Sequence, residues 1–133
     1  MFPTADTMGR RVLVVEDEIM VRDLLVTRLT IAGYQIFEAG DGFEALLRIE
    51  DSRPDAMLLD VNMPRLDGFG TLKLMRSRGL RTPTMVLTAR NQPEDVKTAI
   101  GLGAKDFLTK PFREDQLLTR VARLLRKAPR AEV

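Results

Sequence analysis

A chain of 133 residues and 15.0 kDa has the size of one domain, and such a domain buries about two-thirds of its unfolded surface without needing disulfides or a structural metal. It holds no cysteine and no histidine, which excludes disulfide scaffolds, thiolate zinc sites, thiol catalysis, Ser-His-Asp hydrolysis and a phosphohistidine of its own. Hydrophobic residues at 44% against 30% charged describe a globular chain; the net charge of +2 hides 6 basic and 12 acidic residues up to position 62 and 15 against 7 beyond it.

Residues 1–9 read as a flexible N-terminal segment. Arg11–Val15 (RVLVV) has the length and content of a buried strand. A helical pattern over about residues 19–32 follows, with Met20, Leu24, Leu25, Thr27, Leu29 and Ile31 in a broad apolar stripe ended by Gly33. The second strand is Gln35–Ala39 (QIFEA); the helix after it begins at Asp41, with Glu44 three positions on as a capping box. Ala56–Asp60 (AMLLD) precedes a helix over about residues 67–78, before Gly79. Thr84–Thr88 (TMVLT) precedes a helix with a second box, Asn91 and Glu94, and with Pro93 in the first turn, where its missing N–H costs nothing. That helix stops near Gly101 and Gly103. Asp106–Thr109 (DFLT) is the last strand. The final helix, about residues 113–127, carries Leu117, Leu118, Val121, Leu124 and Leu125 at helical spacing, with arginines on its other face. Residues 129–133 read as a tail, leaving residues 10–128 as the domain.

Five strand–helix units in strict alternation predict an α/β fold, a five-stranded parallel sheet with five helices on both faces. The central strands are continuously apolar, as burial on both faces requires. No apolar run approaches the ~20 residues that cross a bilayer, and the opening MFPTADTMGRR lacks the hydrophobic stretch of a secretory signal, so a cytoplasmic chain without a membrane partner is expected. The basic second half has no interleaved aromatic residues to stack on bases, and no direct nucleic-acid binding is expected.

In open parallel sheets, ligands sit beyond the carboxyl ends of the strands, where the winding reverses. Those ends are Glu16-Asp17-Glu18, Asp60, Thr88 and Lys110-Pro111. If the strand order is the flavodoxin-like 2-1-3-4-5 of a three-layer sandwich, Glu16, Asp17 and Asp60 converge on one shallow pocket. Like charges at close range raise one another's pKa, and a bound cation is the usual remedy. Oxygen ligands with no nitrogen or sulfur nearby favour Mg²⁺, which keeps several waters and leaves room for a phosphate. Lys110 adds a point charge and Thr88 a hydroxyl, which together suit developing phosphoryl charge. Asp60 is the natural nucleophile, because a carboxylate can accept a phosphoryl group as an acyl phosphate. Glu18 reads as a solvated loop acid.

The motifs VVEDE (14–18), LLDVNMPRLDGF (58–69), LTAR (87–90) and GAKDFLTKPF (103–112) stand in order at the ends of four strands. In these the sequence resembles the CheY-like receiver domains of two-component response regulators, over about residues 10–127. The resemblance implies that Asp60 is the phosphoacceptor. It implies that Asp17 and Asp60 ligate Mg²⁺ directly, Glu16 through water, and Asn62 through its backbone carbonyl. Thr88 and Lys110 would bind phosphoryl oxygens, Thr88 and Phe107 would form the conformational switch, and Lys110-Pro111 matches the family's cis peptide bond. Gly68 reads as serving backbone geometry.

The implied partners are a sensor histidine kinase or histidine phosphotransfer protein, which supplies the phosphoryl group, and a downstream protein target or effector domain. The second half is similar to receivers of the OmpR type, which dimerise through helix four, strand five and helix five; Asp106 and Arg120 match one cross-subunit ion pair of a phosphorylation-dependent homodimer. A second pair would need a basic residue at position 96 and glutamate at 116, where Val96 and Gln116 stand. Because the chain ends at Val133 with no effector, either a stand-alone receiver or one domain of a longer regulator is expected. Two alternatives come from other classes. One is a receiver-like interaction module that is never phosphorylated. The other is an aspartate-dependent phosphatase, a turnover enzyme that would need a second acid two residues past the nucleophile, where the chain has Asn62.

Overall fold

The computed structural model describes residues 8–89 and 92–126. In chain order it forms β1 (Arg11–Val15), α1 (Ile19–Ile31), β2 (Gln35–Ala39), α2 (Gly42–Ser52), β3 (Ala56–Asp60), α3 (Gly68–Ser77), β4 (Thr84–Thr88), α4 (Pro93–Gly101), β5 (Asp106–Thr109) and α5 (Glu114–Arg126). All five strands have the bounds predicted from the sequence. The sheet order is β2-β1-β3-β4-β5, with every pairing parallel. Val15 pairs with Ala39 and Leu59, Asp60 with Leu87, and Thr88 with Thr109, so the carboxyl ends of the strands finish level along one edge.

Alternation of side chains along a strand divides the core in two. Val12, Val14, Leu58, Met85 and Leu87 face α1 and α5, where Leu25, Leu29, Leu117, Val121 and Leu125 meet them. Leu13, Val15, Met57, Leu59 and Val86 face α2, α3 and α4, against Leu46, Ile49, Leu72, Met75 and Ala99. Strands β3 and β4 are buried at every position, whereas β2 and β5 at the flanks stay partly open. Each fully buried aliphatic side chain contributes about 1.5–3 kcal/mol, which is why β3 and β4 carry apolar residues up to their last positions, Asp60 and Thr88. Thr84 is the exception at the opposite end: its hydroxyl donates to the Thr82 carbonyl at 2.9 Å.

The stripe expected on α1 is too broad. Leu25 and Leu29 are buried and Val21 and Val26 pack at their edge, but Met20 (83% exposed), Leu24 (55%) and Ile31 (70%) face outward, as does Thr27. α1 lies over β1 and β2 at the side of the sheet, where one row of side chains meets the core. The row 21-25-29 takes that place, and the neighbouring row 20-24-31 is left outside. On α5 the four predicted leucines and Val121 are all buried.

The predicted cap at Asp41 forms, accepting from the Glu44 N–H at 2.9 Å, and Asp67, expected only as the start of a helix, caps α3 by accepting from the Gly70 N–H at 2.8 Å. α4 starts at Pro93 with Gln92 as its N-cap and no side-chain cap bond. Asn91, Arg90, Lys127 and the segments 1–7 and 128–133 lie outside the described residues. Among the described residues no helix is long and apolar enough to cross a membrane.

Candidate functional site

Glu16 follows β1 and Asp60 closes β3, and these strands are neighbours in the sheet. Carboxylate oxygens of Glu16, Asp17 and Asp60 lie within 4.8 Å of one another, Glu16 and Asp60 buried and Asp17 exposed. The Lys110 ammonium stands 2.6 Å from Glu16 Oε1 and 3.7 Å from Asp60 Oδ1. These four residues, with Asn62 and Ala89, surround an open pocket of about 510 Å³ that Glu18 and Val21 border.

The backbone holds each acid in place. Glu16 donates its N–H to the Ala39 carbonyl at 3.0 Å, and its own carbonyl accepts from the Arg22 guanidinium at 2.9 Å. Arg22 in turn approaches Glu38 at 3.3 Å, which ties α1 to the strand beside β1. Asp60 Oδ1 accepts from the Val61 N–H at 2.9 Å. Behind it, the Gly68 N–H donates to the Val61 carbonyl at 2.8 Å; a Cβ on Gly68 would come within 2.9 Å of Val61 Cα and would collide with the Asp60 carbonyl oxygen. The expected geometric role of Gly68 is therefore close contact with the backbone of Asp60 and Val61. Lys110 donates its N–H to the Thr88 carbonyl at 2.8 Å, and the Lys110-Pro111 peptide bond is cis, as the resemblance implied.

Charge in the pocket is not balanced by the protein alone. Burial, reinforced by a hydrogen bond to Glu16 and by its charge, pushes the Asp60 carboxyl up to about 7 against the opposing pull of Lys110. Burial also pushes Glu16 up, but hydrogen bonds from Lys110 and Asp60 and the ammonium's charge outweigh it and hold Glu16 below the ordinary carboxylate value. Asp60 thus retains a proton near neutrality unless another cation arrives. An all-oxygen cluster that keeps a proton for want of positive charge is a fitting site for a hard divalent ion.

Not every expected residue reaches the pocket wall. Asn62 does. Thr88 is fully buried, and Ala89, the next residue, occupies the wall instead. Phe107 is half-buried and packs against the core on the α2, α3 and α4 side. Arg120 donates to Asp106 at 2.8 Å and to the Phe107 carbonyl at 3.3 Å, so the pair expected across a dimer is closed within one chain. Arg22 and Ala89 were not legible as site residues. Arg22 acts through a backbone carbonyl, which leaves no trace in residue types, and only the geometry of the strand end brings Ala89 forward.

A family model for the response regulator receiver domain matches residues 12–122. The chain belongs to that family. Receivers of this family are signalling domains of two-component systems, which accept phosphoryl groups and are generally not turnover enzymes. This receiver is 45% identical over 120 residues to response regulator MprA of Mycobacterium bovis, an alignment covering 90% of the chain and 52% of the relative. It thus spans about half the length of the curated relatives it matches. Among solved structures, the Francisella response regulator 1452 receiver domain superposes with a TM-score of 0.85 at 34% identity, covering 90% of this chain and 98% of that one. The Vibrio cholerae chemotaxis protein CheY4 superposes at 0.82 and 36% identity, covering 87% and 98%. The predicted fold class, a flavodoxin-like sandwich of strand order 2-1-3-4-5, is borne out by both the sheet and these neighbours.

Proposed function

We propose that Asp60 accepts a phosphoryl group from a phosphohistidine on a sensor histidine kinase or histidine phosphotransfer protein, and that residues 10–128 act as the switching unit in the cytoplasm. An Asp60 carboxylate oxygen attacks phosphorus while the P–N bond of the donor breaks; the leaving imidazole keeps the bonding electron pair, takes up a proton, and leaves an acyl phosphate behind. The observation that carries this reading is the convergence of three carboxylates within 4.8 Å beside the Lys110 ammonium.

Asp17, Asp60, the Asn62 backbone carbonyl and, through water, Glu16 would hold Mg²⁺, which when bound neutralises the carboxylates and the phosphoryl oxygens. Lys110 would turn from Glu16 toward a phosphoryl oxygen, and the Thr88 hydroxyl would supply a second contact. Each charge-assisted bond is worth roughly 1.5–3 kcal/mol. Their sum approaches the ~5.5 kcal/mol that moves a two-state population from 1:99 to 99:1. Thr88 moving toward the phosphate vacates space for Phe107, and the surface of α4, β5 and α5 then changes shape to select a downstream protein or effector domain. A homodimer through that surface would require Arg120 to exchange its own Asp106 for a partner's. The exposed Met20 and Leu24 of α1, beside the pocket residue Val21, offer the donor protein an apolar landing surface.

The test is uptake of labelled phosphate from acetyl phosphate. Incorporation that needs Mg²⁺ and stops on chelation supports the reading. A chain that takes up no label with Mg²⁺ present is instead the interaction module.

A further inference from the structure

Between Asp60 and α3 the backbone makes a turn that few residues tolerate. The Leu66 N–H donates to the Pro64 carbonyl at 2.7 Å, and Arg65 between them has φ +66°. A bond from residue i+2 back to i across a positive φ is a rare and strained turn. Arginine there carries the Cβ crowding that glycine would avoid. Strain of this kind persists only where the surroundings over-determine it.

The restraint comes from the start of α2. Gly42 donates its N–H to the Leu66 carbonyl at 3.1 Å, and a Cβ on Gly42 would come within 2.7 Å of the Leu66 side chain. Arg65 donates to Asp41 Oδ2 through Nε at 2.9 Å and through a terminal guanidinium nitrogen as well, across 24 residues of sequence. The other oxygen of Asp41, Oδ1, caps α2. The Asp41 side chain is 8% exposed and that of Arg65 65%, so an arginine with free access to water is held down on a buried acid. Charge-assisted bonds with two donors are the kind that fix geometry.

We propose that the Asp41–Arg65 pair is a latch that positions the loop between β3 and α3 for cation binding and phosphoryl transfer. The inference rests on the reading of the acidic pocket as a Mg²⁺-dependent phosphoryl site. The loop starts at Asp60 and carries Asn62, and it is tied at its far end by the bond from Gly68 to Val61. Released from Asp41, residue 65 is no longer held at positive φ and is free to rotate away from it. In a loop tethered at both ends, the neighbouring residues 61–64 must absorb that rotation, and they include Asn62. Asp41 and Arg65 are positioning residues, acting through backbone they do not themselves ligate.

The test compares Arg65→Gln, Arg65→Gly and Asp41→Asn, the last retaining an oxygen for the α2 cap, with the parent chain. Mg²⁺ affinity is read from amide NMR shifts of residues 60–66 on titration with MgCl₂, and stability from thermal unfolding without Mg²⁺. The latch predicts Mg²⁺ affinity about tenfold weaker in all three, the size expected when a supporting partner of a metal site is removed. The Arg65→Gln/Asp41→Asn double variant should be no worse than either single, and Arg65→Lys should recover part of the loss. Arg65→Gly is the discriminating case, because it relieves backbone strain: stability holds while affinity falls. Variants that bind Mg²⁺ as tightly as the parent overturn the latch, even if their stability drops. A parent chain that binds no Mg²⁺ overturns the site reading instead. If Asp41→Asn does not fold, the two surface substitutions at Arg65 decide the matter.

Discussion

Lys110 Nζ lies 2.6 Å from Glu16 Oε1, and the glutamate is 2% exposed. The ammonium is thus the cation that makes a buried charge at the end of β1 tolerable, and it stands between two carboxylates that otherwise repel. Removing one partner of a buried pair strands the other, at a cost of about 3 kcal/mol or more. Lys110→Met should therefore destabilise the metal-free protein by about that amount at pH 8, and by less at pH 6, where a proton replaces the missing cation. Denaturant unfolding at the two pH values measures both.

Protonation of Asp60 sets a pH dependence of definite sign. In the unfolded chain this carboxyl titrates near ~4, whereas in the folded, metal-free site it is pushed up to about 7. Between those values the folded state binds the extra proton, so stability falls as pH rises from about 4 to about 7 and then levels off. Asp60→Asn removes the ionising group and should raise metal-free stability at pH 8. Mg²⁺ must displace the same proton, so its apparent affinity should climb toward pH 7, by at most about tenfold per unit, and flatten above it. Calorimetry in buffers of different ionisation heat should register proton release at pH 6 and none at pH 8. A Mg²⁺ affinity flat across that range contradicts the coupling.

Gly68 bounds what the backbone at Asp60 can accept. A Cβ there meets the Asp60 carbonyl oxygen and Val61 Cα, neither of which can yield without moving Asp60. Gly68→Ala should cost about 1–3 kcal/mol, the range for overpacking, and should slow phosphoryl uptake as well. Thermal unfolding and the initial rate with acetyl phosphate read the two effects.

Thr88 is buried behind the pocket wall, so its role is conditional on the phosphoryl group arriving. Thr88→Ala should leave the extent of phosphorylation near that of the parent while reducing the difference in partner affinity between the two forms. Parent protein with equal partner affinity in both forms would refute the switch.

The strands and the acidic pocket were legible in the sequence because the signals are short-ranged or periodic. Apolar runs ending in Asp60 or Thr88 mark both a strand and its carboxyl end, and strict alternation implies a parallel sheet, in which the order 2-1-3-4-5 brings Glu16 beside Asp60. What escaped depends on packing. Met20, Leu24 and Ile31 fit a helical stripe as well as Leu25 and Leu29 do, and only the position of α1 at the side of the sheet decides which row is covered. Arg22 bonds a carbonyl and Arg65 pairs with an aspartate 24 residues away, so neither leaves a pattern in residue types. The motif around Thr88 correctly located the fourth strand end, yet nothing in the residue types says that Ala89, and not Thr88, meets solvent.

The claim on which the account depends is that Asp60 carries the phosphoryl group, and borohydride trapping tests it most directly. The chain is treated with acetyl phosphate and Mg²⁺, the acyl phosphate is reduced to the alcohol, and the altered residue is located by peptide mass spectrometry. Reduction confined to position 60, and absent from Asp60→Asn, is the predicted result. Reduction at Asp17 or at another acid, or label surviving in Asp60→Asn, would contradict it.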